Sequence, residues 1–395
     1  MTTTMDIDTC YKQIPSIDIT LTRICRNILP KIHDKVQKLT VDQSSMIPVL
    51  HAANYPQLYS LTIVDIQEEF LRDCLSNDVV LRDLLIKQIT HLNIDIKCRM
   101  SLITKAALEK HLSTLKYFSL CGSLYIPTRL YDPVIVPLLS RMINLEKLKL
   151  CLRVVRLNSN YIDGNQLYDQ FLCSMPKLKR FTFDIKTTVQ NQNADIELSS
   201  HEQIQRSFVG KFPQQVFAYV NSNSTKLVGE CHFYSLPYDF EYLFNVNNSL
   251  QGDRFVKVQQ LRMMDSIDSI DFTYELFQRV AQNFPFLKYL CIMNMCEMKS
   301  KSSGSVLLTF PYLTYLDLDI AHNDYIVLFI LQNHAYLPRL SYLSIDEKPL
   351  KQITNNFTIN SIHFNFSKLK TLVVGRSFIP PENFHVYFPM LLMYE

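Results

Sequence analysis

Apolar residues recur along the chain in a sequence motif, Pro-x-Leu-x-x-Leu-x-Leu, which is called the phrase below. Its clearest copies begin at Pro311 and Pro338, 27 residues apart, and end at Leu318 and Ile345. Residues two apart lie on the same side of an extended strand, so the phrase predicts a short strand whose last two leucines face a core. A phrase that returns at a steady interval predicts an array of similar units.

Copies of the phrase run through most of the chain. The middle apolar residue, called the anchor below, falls at positions 39, 61, 92, 118, 148, 181, 261, 290, 316, 343 and 372, so most steps are 26 to 33 residues. One gap, from 181 to 261, is much longer. Within it we expect two degenerate copies, around Val216–Val220 and Cys231–Phe233.

Segments between the phrases show helical periodicity. In 273–284 one face carries Leu276, Phe277, Val280, Ala281 and Phe284. A second helix is expected to begin at a cap on Asn323 or Asp324 and run through Asn333, and a third to follow Asp163. Each unit is therefore predicted to be strand, loop, helix and loop, and only stacked units can bury their apolar faces.

Composition narrows the class of protein. The 395 residues are 47% apolar with a net charge of +3, which suits a globular core and does not indicate a dedicated nucleic-acid binder. The ten cysteines include no CxxC pair, which is typical of reduced thiols in a cytosolic or nuclear protein. We expect no membrane association, because the start of the chain lacks an apolar signal and the apolar run 325–331 is too short to span a bilayer.

The phrase and its spacing resemble the leucine-rich-repeat family, in its longer, irregular F-box/LRR-like form, over roughly residues 35–395. The resemblance implies an α/β fold, a solenoid with a curved parallel sheet on its concave side and helices outside. The family's Asn or Cys ladder position is not kept, since Ile66, Ser123 and Ala321 occupy it in three copies.

The same resemblance implies the domain organisation. Residues 1–34 are expected to form an N-terminal cap, or a remnant after an F-box that the sequence does not show, and 35–395 the solenoid, with a degenerate insert around 184–257. In this group of proteins the F-box docks to the Skp1/cullin machinery, so that partner is expected only if an F-box lies upstream.

The sequence shows no catalytic motif, and we expect neither an enzyme nor a cofactor. Cys231 and His232 are adjacent but lack a second pair that would complete a zinc site. The carboxylates at 265, 268 and 271 fit a solvated loop better than a cation site. Asp317 and Asp319 are expected on one side of their strand, as polar surface residues rather than an acid–base pair.

The residues beside each anchor are predicted to point away from the core. Tyrosine stands before the anchor in four of the eight strong copies, and lysines and arginine cluster in the middle of the chain. Tyrosine and arginine are enriched where proteins bind proteins. The alternative is a tyrosine ladder that covers its own sheet and contacts no partner. The candidate protein-binding residues on the concave face are Tyr117, Lys147, Lys149, Lys179, Arg180, Tyr289, Tyr315, Asp317 and Tyr342.

Taken together, the sequence predicts a non-enzymatic protein-binding scaffold with an unidentified protein ligand. The resemblance implies that it is the substrate-recognition subunit of an SCF-type ubiquitin ligase. The alternative is a nucleic-acid or nucleocytoplasmic adaptor that uses the central Lys/Arg patch. We further expect Tyr315 and Tyr342 to lie on adjacent strands and to face one groove, with neither ring in the core.

Overall fold

The structure is a computed structural model of the chain. It describes residues 4–7, 16–97, 112–122, 127–192, 196–222, 227–244, 246–250, 254–264, 272–299, 306–375 and 378–394. The chain forms two compact units, Met1–Ser235 (unit 1) and Leu236–Glu395 (unit 2). The boundary lies within the 184–257 segment, where the phrase is missing from the sequence.

Unit 1 contains nine strands in its described residues, and they form one sheet in the order β1-β2-β3-β4-β5-β6-β7-β9-β8. Its α-helices lie in the connections between successive strands. The strands are β1 (Thr4–Ile7), β2 (Lys38–Asp42), β3 (Ser60–Gln67), β4 (His91–Lys97), β5 (Tyr117–Cys121), β6 (Lys147–Leu157), β7 (Arg180–Gln190), β8 (Val216–Ser222) and β9 (Val228–Ser235). The helices are α1 (Ser16–Arg23), α2 (Leu29–Ile32), α3 (Gln43–Ala52), α4 (Glu68–Asn77), α5 (Val79–Lys87), α6 (Val136–Leu139), α7 (Gly164–Gln170) and α8 (His201–Phe208).

Unit 2 has shorter strands in a sheet of order β10-β11-β12-β14-β16-β17-β18, with β13 and β15 paired separately. The strands are β10 (Tyr242–Phe244), β11 (Gln260–Met264), β12 (Tyr289–Met293), β13 (Leu308–Thr309), β14 (Tyr315–Asp317), β15 (Ala335–Tyr336), β16 (Tyr342–Ser344), β17 (Thr371–Val373) and β18 (Met393–Tyr394). The helices are α9 (Tyr274–Asn283), α10 (Asn323–Ile330), α11 (Glu347–Ile353) and α12 (Phe384–Tyr387).

The class is mixed α/β with parallel sheets, as the sequence predicts. Every pair from β1 to β7 is parallel, and so is every pair in the unit 2 sheets. The end of the unit 1 sheet is antiparallel instead, because β9 pairs antiparallel with both of its neighbours, β7 and β8. The two degenerate copies expected around 216–220 and 231–233 are therefore wrong as repeats. Both segments are strands, but they form a hairpin against β7.

The proline of the phrase occupies a tight turn before the strand. Six prolines stand at this position: Pro56, Pro176, Pro285, Pro311, Pro338 and Pro389. In each case the carbonyl of the residue before proline accepts a hydrogen bond from the N–H three residues on, as between Tyr55 and Leu58 (3.2 Å) or Phe310 and Leu313 (3.4 Å). Proline suits the second position of such a turn, because its ring fixes φ near the value the turn needs and no N–H is required there. The same bond forms without proline before β5, β6, β11 and β17. Proline thus favours the turn but is not essential to it.

The anchors of successive copies pair directly across each sheet. Leu61 lies opposite Leu92 in unit 1, and Leu316 lies opposite Leu343 in unit 2. Each anchor is almost fully buried, so the predicted inward direction of the phrase is confirmed. The paired anchors are Leu39, Leu61, Leu92, Phe118, Leu148 and Phe181 in unit 1, and Leu261, Leu290, Leu316, Leu343 and Leu372 in unit 2. Leu243 of β10, which is not among the anchors expected from the sequence, pairs with Leu261 in the same way and is also buried.

The predicted helices form, with one change of cap. Helix α7 follows Asp163, as expected, and the Asp163 side chain caps it by accepting a hydrogen bond from the N–H of Gln166. The cap of α10 is not Asn323 or Asp324 but His322, whose Nδ1 accepts a bond of 3.3 Å from the N–H of Asp324. This helix also ends at Ile330 rather than Asn333. Among the described residues, no helix combines the length and apolarity needed to cross a membrane.

Candidate functional site

The candidate residues other than Lys179 lie on the sheet face opposite the anchors, which we call the outer face, and Lys179 directly precedes β7. They form two separate sets, one in each unit. In unit 1, Lys147, Lys179 and Arg180 are exposed, and Tyr117 and Lys149 are half-buried. In unit 2, the members are all half-buried: Tyr289, Tyr315, Asp317 and Tyr342.

The three unit 2 tyrosines form a continuous stack, called the tyrosine row. Tyr289 pairs in register with Tyr315, and Tyr315 with Tyr342. Their ring centroids are 4.4 and 3.9 Å apart, and the ring planes differ by 23° and 11°. Tyr315 and Tyr342 therefore lie on adjacent strands and on one face, and neither ring is in the core, as predicted.

The stack is held by hydroxyl contacts as well as by ring contacts. Burial is the main reason that the pKa of Tyr315 is raised, and its hydrogen bond to the Tyr342 hydroxyl adds to this effect. Burial also raises the pKa of Tyr289 to about 12, against an opposing hydrogen bond with Arg262. The hydroxyls of Tyr289 and Tyr315 therefore remain protonated at neutral pH, and each presents a neutral ring with a polar tip.

A second line of polar side chains lies beside the tyrosine row. Cys291 and Asp317 are in register on β12 and β14, and the Cys291 thiol donates to Oδ2 of Asp317 over 3.5 Å. Burial, with the nearby Asp317 charge, raises the pKa of Cys291 to about 12, so the thiol is not a nucleophile at neutral pH. The second Asp317 oxygen accepts the N–H of Asp319 at 3.2 Å. Asp317 is thus a structural acceptor in this arrangement.

Asp319 does not extend the strand. It lies in a turn after β14, is exposed, and has a raised pKa because of desolvation and the nearby carboxylates of Asp317 and Asp346. The expected group at 265, 268 and 271 lies outside the described residues, and so does Ser123 of the ladder position.

The outer face of unit 1 carries a different row at the same strand position. From β2 to β7 the residues in register are Lys38, Ser60, His91, Tyr117, Lys147 and Arg180. We call Lys38, His91, Tyr117 and Lys147, with Tyr59 and Lys116 beside them, the cationic row. The sequence prediction included Tyr117 and Lys147 but not the other four. The signal was present, because Lys38 and His91 directly precede the anchors Leu39 and Leu92, although the copies around these two anchors match the phrase only weakly.

Aromatic contacts organise the centre of the cationic row. The His91 ring stacks on Tyr117 at 5.8 Å with a 21° interplanar angle, and Tyr59 meets it edge-on at 5.7 Å. Nζ of Lys38 lies 6.0 Å from the Tyr59 ring centroid. Burial, followed by the charges of Lys38, Lys147 and Lys116, lowers the pKa of His91. At neutral pH the imidazole is therefore neutral, with three lysines around it.

Lys179 is less available than its exposure suggests. Its Nζ lies 2.8 Å from a Glu146 carboxylate oxygen, and this hydrogen bond is the main reason that the pKa of Glu146 is lowered. The five unit 1 candidates therefore lie on β5 to β7 or, for Lys179, directly before β7, and the Lys179 charge is paired locally with Glu146.

A buried charged network, which no sequence pattern predicts, lies on the outer face where β6, β7 and β9 meet. Asp184 is fully buried and contacts Arg153 at 3.0 Å and His232 at 2.7 Å. Lys186 and Glu230 pair at 2.9 Å. Burial lowers the pKa of His232, and the attraction of Asp184 only partly opposes this. These opposite charges compensate one another, so we assign the network a structural role.

Cys231 and His232 do not converge on a common site. They are consecutive on β9, so their side chains point to opposite faces: Cys231 belongs to the apolar core, while His232 faces Asp184. Within the described residues, no group of His, Cys, Asp and Glu side chains is arranged to hold a metal ion.

No family model, curated protein or solved structure matches this chain. The two outer-face rows are therefore the features from which we infer a function.

Proposed function

We propose that this chain is a protein-binding scaffold and that the tyrosine row of unit 2 contacts its protein ligand. The observation that carries the proposal is the in-register stack of Tyr289, Tyr315 and Tyr342, half-buried on the outer face of the sheet. The alternative, a ladder that only covers its own sheet, explains the stacking equally well. It makes a different prediction about binding, which is tested below.

The row has the physical properties of a binding surface. Tyrosine offers a large contact area with a polar hydroxyl, and it loses little conformational entropy because it has few rotatable bonds. Stacking fixes the rings before a ligand arrives, which reduces the entropy that binding must overcome. Such rigid aromatic residues are common among the few residues that dominate binding free energy.

We also propose that both units are arrays of the leucine-rich-repeat type. Three features support this: the recurrent turn before each strand, the anchors paired in register, and the parallel order of β1 to β7 and of the main unit 2 sheet. In such arrays the residues between the leucines vary freely and form the ligand surface.

The narrower role follows only from the sequence resemblance. We propose that the scaffold selects substrates for an SCF-type ubiquitin ligase. Affinity purification of the protein tests this directly: with an F-box upstream of this chain, the Skp1/cullin machinery should be recovered with it. Its absence from the purified complexes would reject the ligase role but leave the scaffold.

The scaffold itself is tested by a comparison of variants in the same purification. The double variant Tyr315→Ala, Tyr342→Ala should lose a protein that binds the wild-type chain. Tyr336→Ala is the matched control, since Tyr336 is an exposed tyrosine of unit 2 outside the row. Equal recovery from wild type and both variants would show that the stack only covers its sheet.

A further inference from the structure

The outer face of unit 1 shows a charge pattern that suits a particular kind of partner. Lys38, Lys116 and Lys147 all lie close enough to His91 to affect its protonation. Within the described ranges, none of the three lysines lies within ion-pair distance of a carboxylate. The nearby carboxylate of Glu146 is bound to Lys179 instead.

The spacing of these lysines matches an extended peptide. Lys38 and Lys147 are four strand steps apart, from β2 to β6, which is about 19 Å at ~4.8 Å per step. An extended segment of roughly six residues covers this length, and its alternate side chains point to one side. Acidic residues at alternate positions would therefore reach the lysines along the row.

We propose that the cationic row of unit 1 binds an acidic, extended segment of a partner protein. The inference rests on the proposed scaffold function and adds a second surface with a defined ligand chemistry. Carboxylates pair with the lysines, and the Tyr59, His91 and Tyr117 rings form an apolar floor between them.

The geometry favours an acidic peptide over a nucleic acid. The His91 ring already stacks on Tyr117 and contacts Tyr59, so the ring surfaces that nucleobases would stack on are partly occupied. The cationic row is also a single short line, and the whole chain has a net charge of only +3. Dedicated nucleic-acid binders commonly carry larger basic surfaces.

Fluorescence anisotropy on the full chain tests the proposal with a labelled peptide of about eight residues that alternates Glu and Ser. The double variant Lys116→Gln, Lys147→Gln should bind it roughly tenfold more weakly, because two exposed charge contacts are lost. Lys370→Gln should bind like the wild type, since Lys370 precedes β17 in unit 2 as Lys116 precedes β5 in unit 1. Circular dichroism of each variant confirms that the fold is kept.

Two further probes decide between ligand classes. A peptide that alternates Gln and Ser should bind far more weakly than the acidic one, and an oligouridylate of equal charge should also be weaker. The inference is overturned if the lysine variant binds the acidic peptide as the wild type does, if the neutral peptide binds equally well, or if the RNA binds more tightly and depends on the same lysines.

The two proposals fail separately. If every protein partner binds the Tyr315→Ala, Tyr342→Ala variant as it binds the wild type, while lysine-dependent binding of the acidic peptide is intact, the role of the tyrosine row alone is rejected. A partner that depends on Tyr315 and Tyr342, with no lysine-dependent peptide binding, would reject the cationic row alone.

Discussion

From β2 to β7 of unit 1, the residue before the anchor changes from lysine through serine, histidine and tyrosine to lysine and arginine, whereas β12, β14 and β16 of unit 2 all carry tyrosine there. The anchors behind these residues are similar in both units. Packing in the core requires an apolar residue at the anchor position of each strand. The residue before the anchor does not pack in the core, so it can vary, and it determines the chemistry of the surface. The units therefore share a packing rule and differ in what they can recognise.

A second contrast concerns two aspartates, each of which lies beside a cysteine on the neighbouring strand. Asp184 pairs in register with Cys151 and is fully buried, while Asp317 pairs with Cys291 and is half-buried. The long strands of unit 1 and the β8–β9 hairpin enclose the Asp184 charge, whereas the three-residue strand β14 leaves Asp317 partly in water. We therefore expect burial, rather than residue type, to determine how much each carboxylate contributes to the free energy of unfolding.

The largest expected effect tests that contrast. Asp184→Asn should lower the free energy of unfolding by about 3–5 kcal/mol, because the buried Arg153 would lose the carboxylate it contacts. Asp317→Asn should change it by about 0.5 kcal/mol or less, as is usual for partly exposed positions. Urea denaturation followed by circular dichroism measures both, and equal effects would remove the distinction between the two sites.

The shared packing rule predicts similar losses at the anchors of both units. Leu148→Ala and Leu316→Ala should each cost about 2–4 kcal/mol of unfolding free energy, since each leaves a cavity in a close-packed core. The same denaturation experiment applies. A loss at one anchor with none at the other would mean that the two sheets are not built by the same rule.

A smaller effect distinguishes stacked from isolated tyrosines. A double-mutant cycle with Tyr315→Leu and Tyr342→Leu should give a coupling energy of about 0.5–1.5 kcal/mol, because the two rings are in direct contact. Tyr315 with Tyr336 provides the control pair and should show additive losses. Additivity in the first pair would contradict the stack.

The smallest effect is confined to acidic pH. Burial lowers the pKa of His232 in the folded chain, so below about pH 6.5 the unfolded chain binds more protons at this residue than the folded chain does. The contribution of neutral His232 to the free energy of unfolding is therefore fully present above that pH, and it is lost as the pH falls toward the pKa of His232 in the folded chain. His232→Gln should flatten this part of the stability–pH curve, whatever its effect at neutral pH. An unchanged slope would show that His232 does not titrate as its burial requires.

Much of the fold could be predicted from the sequence, because the phrase combines a turn signal with two alternating apolar positions. The strands at Leu316 and Leu343 and the apolar face of α9 were predictable for this reason. The β8–β9 hairpin was not, since two short apolar segments indicate strands but not their direction. The cap at His322 was missed because histidine is uncommon in that role.

The tyrosine row was also predictable, since its three members occupy one position in strong copies of the phrase. Four of the six residues of the cationic row were not predicted. Lys38 and His91 belong to weak copies of the phrase, and Tyr59 and Lys116 lie two positions before an anchor rather than one. The Asp184 network could not be predicted, because its members meet only through the register of β6, β7 and β9.

Hydroxyl-radical footprinting of the chain with its purified protein partner tests the central claim most directly. The claim is that residues beside the anchors, rather than the helices, contact the ligand. Oxidation of Tyr289, Tyr315 and Tyr342 should fall on binding, while oxidation of the exposed control Tyr336 should not change. Protection confined to the helices, with the three stacked tyrosines oxidised as in the free chain, would contradict the account.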